Sequence, residues 1–230
     1  MRISIKIFIF LFLSIGLLGS IQAKEKVSPH QKLVDRLTTA EYVLEKAMGD
    51  PKTAIPRDIL SKAKGIIILN QYKFGLFVGG EGGYGVLVVR DIKTNEWKLP
   101  SFLTAGQASF GFQFGVKEKN YIFLLMTDDT LRLACASRFD VGVDASAVAG
   151  PIGRESENFD LFKSPVLVYS TMQGLFAGAS IKGGWIAQDQ KANHLFYNTT
   201  HDTPEILLSN WFKLPVDGRP LINRLKVYGP

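Results

Sequence analysis

The chain has 230 residues, a formal net charge of +6 and one cysteine. A single thiol excludes an intrachain disulfide framework, so the fold must rest on its core. The mildly basic balance suits an anionic partner but is too small to mark a nucleic-acid binder.

Residues 1–23 read as a cleaved secretory signal. Arg2 and Lys6 precede the apolar run IFIFLFLSIGLLG, and Gly19, Ser20 and Ala23 supply small residues near a cut after IQA. No cysteine follows the run, which excludes lipidation by the lipobox route. The mature chain is therefore expected to be periplasmic or secreted. PHQKLVDRLTTAEYVLEKAM, residues 29–48, places Leu33, Leu37, Ala40, Leu44, Ala47 and Met48 on one helical face, and Gly49-Asp50-Pro51 ends it. A second, short helix is expected after Pro56, with Ile59, Leu60 and Ala63 inward and Gly65 closing it.

From Gly65 the period becomes that of strands. GIIILN, FGLFVGGEGGYGVLVVRD, QASFGFQFGV and NYIFLLMT follow, with turns expected at Lys93-Thr94-Asn95 and across residues 117–120. DDTLRLACAS reads as a short helix with an acidic start. FDVGVDASAVAG, PVLVYS and GLFAGASIKGGWIA are again strand-like, TPEILLSNWF reads as a final helix, and the last residues read as a tail broken by Pro and Gly. No long linker intervenes, so one domain is expected over residues 24–210, with a tail over 211–230. The predicted class is α+β: a strongly curved, barrel-like antiparallel β-sheet flanked by helices at its N- and C-terminal ends. Many of the 22 glycines fall inside strand segments, consistent with bulges and tight bends.

GGEGGYG, residues 79–85, satisfies G-x-G-x-x-G, but Val86, Leu87, Val88 and Val89 follow it, a strand rather than the helix a dinucleotide site requires. The lysine, H-R-D and D-F-G signatures of a kinase are missing, as is a P-loop. His30, His194 and His201 fit no zinc spacing. G-x-S-x-G is absent; GQASFG and GASIKG each miss it by one residue. Asp140 and Asp144 share a parity, which suits either an acid–base pair or two solvated carboxylates. Cys135, inside LRLACAS, reads as buried packing. No catalytic residue, metal site or cofactor is expected.

Charge is the more informative pattern. Lys52, Arg57, Lys62, Lys64 and Lys73 are opposed only by Asp58. On a helix Arg57 and Lys64 land ~20° apart. In the first helix Lys32, Arg36 and Lys46 fall on one flank of the apolar face, and Glu41 and Glu45 on the other. Such a helix can pack on its own sheet or lie on an anionic membrane with its lysine stems alongside the apolar stripe.

IPRDILSKAKGIIIL, GGYGVLVVRD, WKLP, GFQFGV, VGVDASAVAGPIGR, YSTMQGLFAGASIKGG and HLFYN occur in this order. On these stretches the chain resembles the SYLF domain, a lipid-binding module of eukaryotic membrane-trafficking and actin-associated proteins and of bacterial exported proteins. The resemblance covers roughly residues 29–208. It implies binding rather than catalysis, with no nucleotide at the glycine stretch. It also implies contact with acidic phospholipids through a basic surface and an N-terminal amphipathic segment. Carried over by position, that surface comprises Arg57, Lys62 and Lys64 with Lys32, Arg36 and Lys46, and Lys73 ends the basic run. Some family members engage phosphoinositides or bundle actin. In a bacterial envelope phosphatidylglycerol, cardiolipin or lipopolysaccharide replaces the former, and actin is not available. An envelope protein partner is the alternative. Trp211 and Phe212 suit either the core or a membrane interface.

Overall fold

Ser28 starts the first helix, α1 (Pro29–Gly49): its hydroxyl accepts from the Gln31 amide at 3.0 Å, and Pro29 sits in the first turn, where no donor is needed. The computed structural model describes residues 27–75, 78–91, 93–110, 117–136, 138–140, 144, 146–153, 164–172, 175–178 and 184–230. The expected signal segment lies outside the described residues. Helix α2 (Arg57–Lys62) follows Pro56 and buries Ile59 and Leu60. Gly65, expected to close that helix, instead begins a strand.

The strands are β1 (Gly65–Gly75), β2 (Val78–Arg90), β3 (Trp97–Phe110), β4 (Lys117–Leu125), β5 (Arg138–Asp140), β6 (Ala147–Ala149), β7 (Val166–Met172), β8 (Leu175–Gly178) and β9 (Trp185–Gln188). Among the described residues they form one sheet in the order β5-β9-β3-β2-β1-β4-β7-β6, with β8 added on β7. The sheet curls into a half-barrel flanked by helices, the α+β architecture that the sequence implies. Its pairs are antiparallel except β6 with β7, which run parallel. Residues 117–120, expected as a turn, extend β4 and pair with β1. Lysine and asparagine there are tolerated because tertiary pairing overrides the local turn signal.

Continuous apolar runs arise because both faces of the sheet are covered. Ile66, Ile68, Val86, Val88, Phe102, Ile122 and Leu124 face a core shared with α1 and α2. Their neighbours Ile67, Leu69, Leu87, Val89, Leu103, Phe123 and Leu125 face a second core with Leu131, Cys135 and Leu207. Helix α3 (Asp128–Cys135), started by a Thr127–Thr130 capping box, and α5 (Thr203–Leu208) cover that second face. Helix α4 (Gln190–Tyr197), capped by Asp189, joins the first core through Ala192 and Phe196.

Three local expectations change. Helix α4 occupies a stretch for which the sequence suggests no element. Helix α5 ends at Leu208, before Trp211 and Phe212. The expected broken tail contains a turn of 3-10 helix (Val216–Gly218) and then α6 (Arg219–Tyr228), whose Leu221, Ile222 and Leu225 join the first core. Pro220 lies in the first turn of α6, where proline starts rather than breaks a helix.

The glycine stretch is not a loop. Residues 79–85 lie within β2, paired with β1 on one side and β3 on the other. A Cβ added at Gly85 would stand 2.4 Å from the Ile68 carbonyl oxygen, and one at Gly83 2.4 Å from that of Asn70. The neighbouring main chain occupies the space a side chain needs, which accounts for glycine without a nucleotide.

Candidate functional site

The basic residues sit on or beside a helical layer whose scaffold determines which of them reach solvent. Helix α2 is short but tightly seated. Ile59 and Leu60 are buried, and the Pro56 carbonyl accepts from both of their amides. Ahead of it, the Ala54 carbonyl accepts from Gly153 at 2.9 Å. This contact gives residues 147–153 of the AVAGPIGR motif a role: they run from β6, past the Gly150 amide that donates to Val168 in β7, to the segment that leads into α2. Gly150 within it lies against the buried Tyr169 ring, where an added Cβ would meet Cζ at 2.2 Å. Beyond α2, the Lys64 carbonyl accepts from Arg90 and the Lys64 amide donates to Leu125, which hands the chain to the sheet.

On this support Arg57 and Lys62 are exposed and Lys64 is half-buried. The Arg57 guanidinium lies 6.0 Å from the centre of the Tyr228 ring, which links α2 to α6. On α1, Lys32 and Lys46 are exposed, and the Lys46 ammonium rests 5.3 Å over Tyr42. Among the described residues no carboxylate pairs with Lys32. Lys73 lies in β1 opposite Glu81 and Lys117, and its side chain falls outside the described residues.

Arg36 departs from the expected surface, and its place there is corrected. Its side chain is only 14% exposed and pairs with Asp189 at 2.9 Å. It also donates to the carbonyls of Leu103 and Gly85, and its guanidinium lies 5.3 Å from the Tyr84 ring and 5.1 Å from that of Phe102. The helical wheel carries the reason: Arg36 stands about 45° from the centre of the buried stripe, against about 85° for Lys32 and about 125° for Lys46. Asp189 both receives this arginine and caps α4, so the residue ties two helices together.

The opposite flank of α1 is neutralised from α6. Arg224 binds Glu41 at 3.2 Å and Glu45 at 2.8 Å. These carboxylates raise its pKa, the Glu41 hydrogen bond most. A further arginine, Arg90, is buried and lies 4.1 Å over Trp97. It donates to the Gly229 carbonyl at 2.6 Å, which also accepts from the Trp97 indole at 2.7 Å. Burial pulls the Arg90 pKa down to about 10. Its role is to hold the end of α6 against the sheet.

Of the residues considered for chemistry, both aspartates and two of the three histidines have structural partners, whereas the His194 Nε2 is buried without a hydrogen bond among the described residues. Asp140 accepts from the Arg138 guanidinium at 2.9 Å, and Asp144 accepts from the Asp140 amide at 2.7 Å. His30 pairs with Asp217 at 3.0 Å and His201 with Glu205 at 2.9 Å. Cys135 is buried, and burial pushes its thiol up to about 12. Among the described residues no group of His, Cys, Asp and Glu is arranged to hold a metal ion, and no helix is long and apolar enough to cross a membrane. Trp211 is 71% exposed, whereas Phe212 packs edge-on against Tyr197.

Comparison with known proteins adds a name to this arrangement. The family model described as "Ysc84: Las17-binding protein actin regulator" matches residues 106–228, a span that includes α6. Protein YSC84 of Saccharomyces cerevisiae is 33% identical over 177 residues, covering 75% of this chain and 37% of that protein. LAS seventeen-binding protein 3 of the same yeast is 31% identical over 192 residues, 81% of this chain and 41% of its own length. The human SH3 domain-containing YSC84-like protein 1 is 30% identical over 160 residues, 68% of this chain and 46% of its own length. The aligned region therefore spans less than half the length of each relative.

Proposed function

Because the chain belongs to the Ysc84, or SYLF, family, we propose that it is a binding protein without catalytic activity that engages acidic phospholipid headgroups peripherally. On this reading the mature chain is exported and acts at the surface of an envelope membrane. The observation that carries the proposal is the pairing of a fully buried apolar side of α2 with outward Arg57 and Lys62. Cations on an anchored helix lose little freedom when they meet an anionic surface, and each contributes about 1 kcal/mol there. Lys64, Lys32 and Lys46 extend the surface, Lys73 is the remaining candidate, and Arg36 is excluded by its internal partners.

Sedimentation with phosphatidylcholine vesicles, with and without phosphatidylglycerol, tests this. Capture should require the anionic lipid and weaken with salt. Replacing Arg57, Lys62 and Lys64 together by Ala should lower the affinity about a hundredfold at low ionic strength. Equal recovery on neutral and anionic vesicles would sink the electrostatic reading.

A protein partner is the second reading. It is favoured by the name of the yeast relative, which is a LAS seventeen-binding protein. Exposed Leu208 and Trp211 next to α5 offer such a partner an apolar contact. Capture from envelope extract that is lost in Trp211→Ala but kept in the triple Ala variant would favour it over lipid.

A further inference from the structure

The C-terminal helix carries a surface that neither the basic run nor the first helix accounts for. Its buried side is Leu221, Ile222 and Leu225. Directly opposite, within about 35° on the helical wheel, stand Pro220, Asn223 and Val227. Val227 is 60% exposed, and Val216, in the turn that leads into the helix, is 69% exposed. Helix α6 holds Arg219, Arg224 and Lys226 and no carboxylate. Arg224 is occupied by Glu41 and Glu45 at the seam with α1, but among the described residues Arg219 and Lys226 have no partner. Asp217, the nearby acid, is engaged by His30. Val216, Pro220 and Val227, with Arg219, Asn223, Arg224 and Glu41, line an open groove of about 530 Å³ between α6 and α1.

We propose that this strip of exposed valines, with the unpaired Arg219 and Lys226 along one flank, is the part of the molecule that enters the interfacial layer of an anionic bilayer. The occupant follows from charge. A protein partner matched to this strip would need an apolar edge with acidic groups placed against Arg219 and Lys226. An anionic lipid surface supplies diffuse negative charge over an apolar interior without shape matching. The strip is also rigid, because the Gly229 carbonyl at its end is held by both Arg90 and Trp97. Helix α1 contributes less than its amphipathic pattern implies. Its Lys32, Arg36 and Lys46 are matched in number by Asp35, Glu41 and Glu45, whereas α6 is purely cationic. The inference rests on the lipid reading above and names the element that inserts.

The buried Cys135 makes the test specific, since a maleimide probe reaches only an introduced surface thiol. Val227→Cys and, on the opposite face of the sheet, Leu208→Cys are each labelled with an environment-sensitive fluorophore and mixed with phosphatidylcholine vesicles with or without phosphatidylglycerol. The expected result is a blue shift at position 227 and none at 208, only with the anionic lipid. Arg219→Ala/Lys226→Ala should lower affinity about thirtyfold, with an unchanged circular-dichroism melt showing that the fold is intact. If the wild type sediments with anionic vesicles while the probe at 227 stays unshifted, or the double variant binds as tightly as wild type, α6 is not the inserting element and the lipid reading stands. A wild type that binds no anionic vesicle overturns both.

Discussion

Gly150 and Arg36 show how a single position can be read in two ways from the chain and in one from its surroundings. An alanine at 150 would drive its methyl into the Tyr169 ring, 2.2 Å from Cζ, in a core with no room to yield. Gly150→Ala is expected to cost about 2 kcal/mol or more, read as a lower denaturant midpoint in chemical unfolding. Gly49→Ala, with nothing within 4 Å of the added atom, should leave the midpoint unchanged or raise it. Arg36→Ala removes the ion pair with Asp189, two carbonyl hydrogen bonds and the contacts with the Tyr84 and Phe102 rings, and is expected to cost about 3 kcal/mol. Lys32→Ala and Lys46→Ala, both on exposed side chains, should change stability by less than about 0.5 kcal/mol. The same set in a vesicle assay separates structural from surface cations. In the sequence Arg36 and Lys46 look equivalent; the wheel angle was the legible difference between them.

At the scale of elements, the connection between β2 and β3 is set by a carboxylate. Asp91 accepts from the amides of Lys93 at 2.9 Å and Thr94 at 3.0 Å, with Lys98 at 3.7 Å. The Thr94 amide hydrogen bond, with that of Lys93, lowers its pKa in the folded state. A depressed carboxylate pKa contributes stability above the unfolded value that is lost as pH falls through the folded one. Acid unfolding of the wild type should therefore steepen below the ordinary carboxylate range, and Asp91→Asn should flatten that part of the profile. The C-terminal segment obeys a different logic. Truncation after Asn210 removes Leu221, Ile222 and Leu225 from the first core, each worth about 2 kcal/mol of burial. The shortened chain should melt well below the full one, so surface substitutions, not deletion, are the means to test α6. Its helix was legible: Pro220 starts it, and Leu221, Ile222 and Leu225 share one face. The proline and glycine around it suggest a tail because local breakers carry no information about the core that receives the helix.

For the whole molecule, the sheet separates two surfaces of different character. One face carries the helical layer with α1, α2, α4 and α6, the other α3 and α5 with Leu208 and Trp211 beside them. Raising ionic strength should weaken vesicle capture through the helical layer and leave any apolar capture through Trp211 nearly unchanged. Native Cys135 should resist a disulfide reagent at neutral pH and react only on unfolding, since the thiol is buried and pushed up to about 12. Its reaction rate then reports global opening of the second core.

Strand identity, the first helices and the family motifs follow from local chemistry, because β-branched runs, capping residues and apolar periods act over a few neighbours. So does the rejection of a nucleotide loop, since the valines after Gly85 already demand a strand. Tertiary structure alone decided which partner each cation meets. A side chain's direction depends on which elements arrive from far along the chain: Asp189 draws Arg36 in, Glu41 and Glu45 hold Arg224, and Arg90 with Trp97 fastens α6. Those partners are distant in sequence and adjacent only once the sheet has curled, so no window of residues contains them.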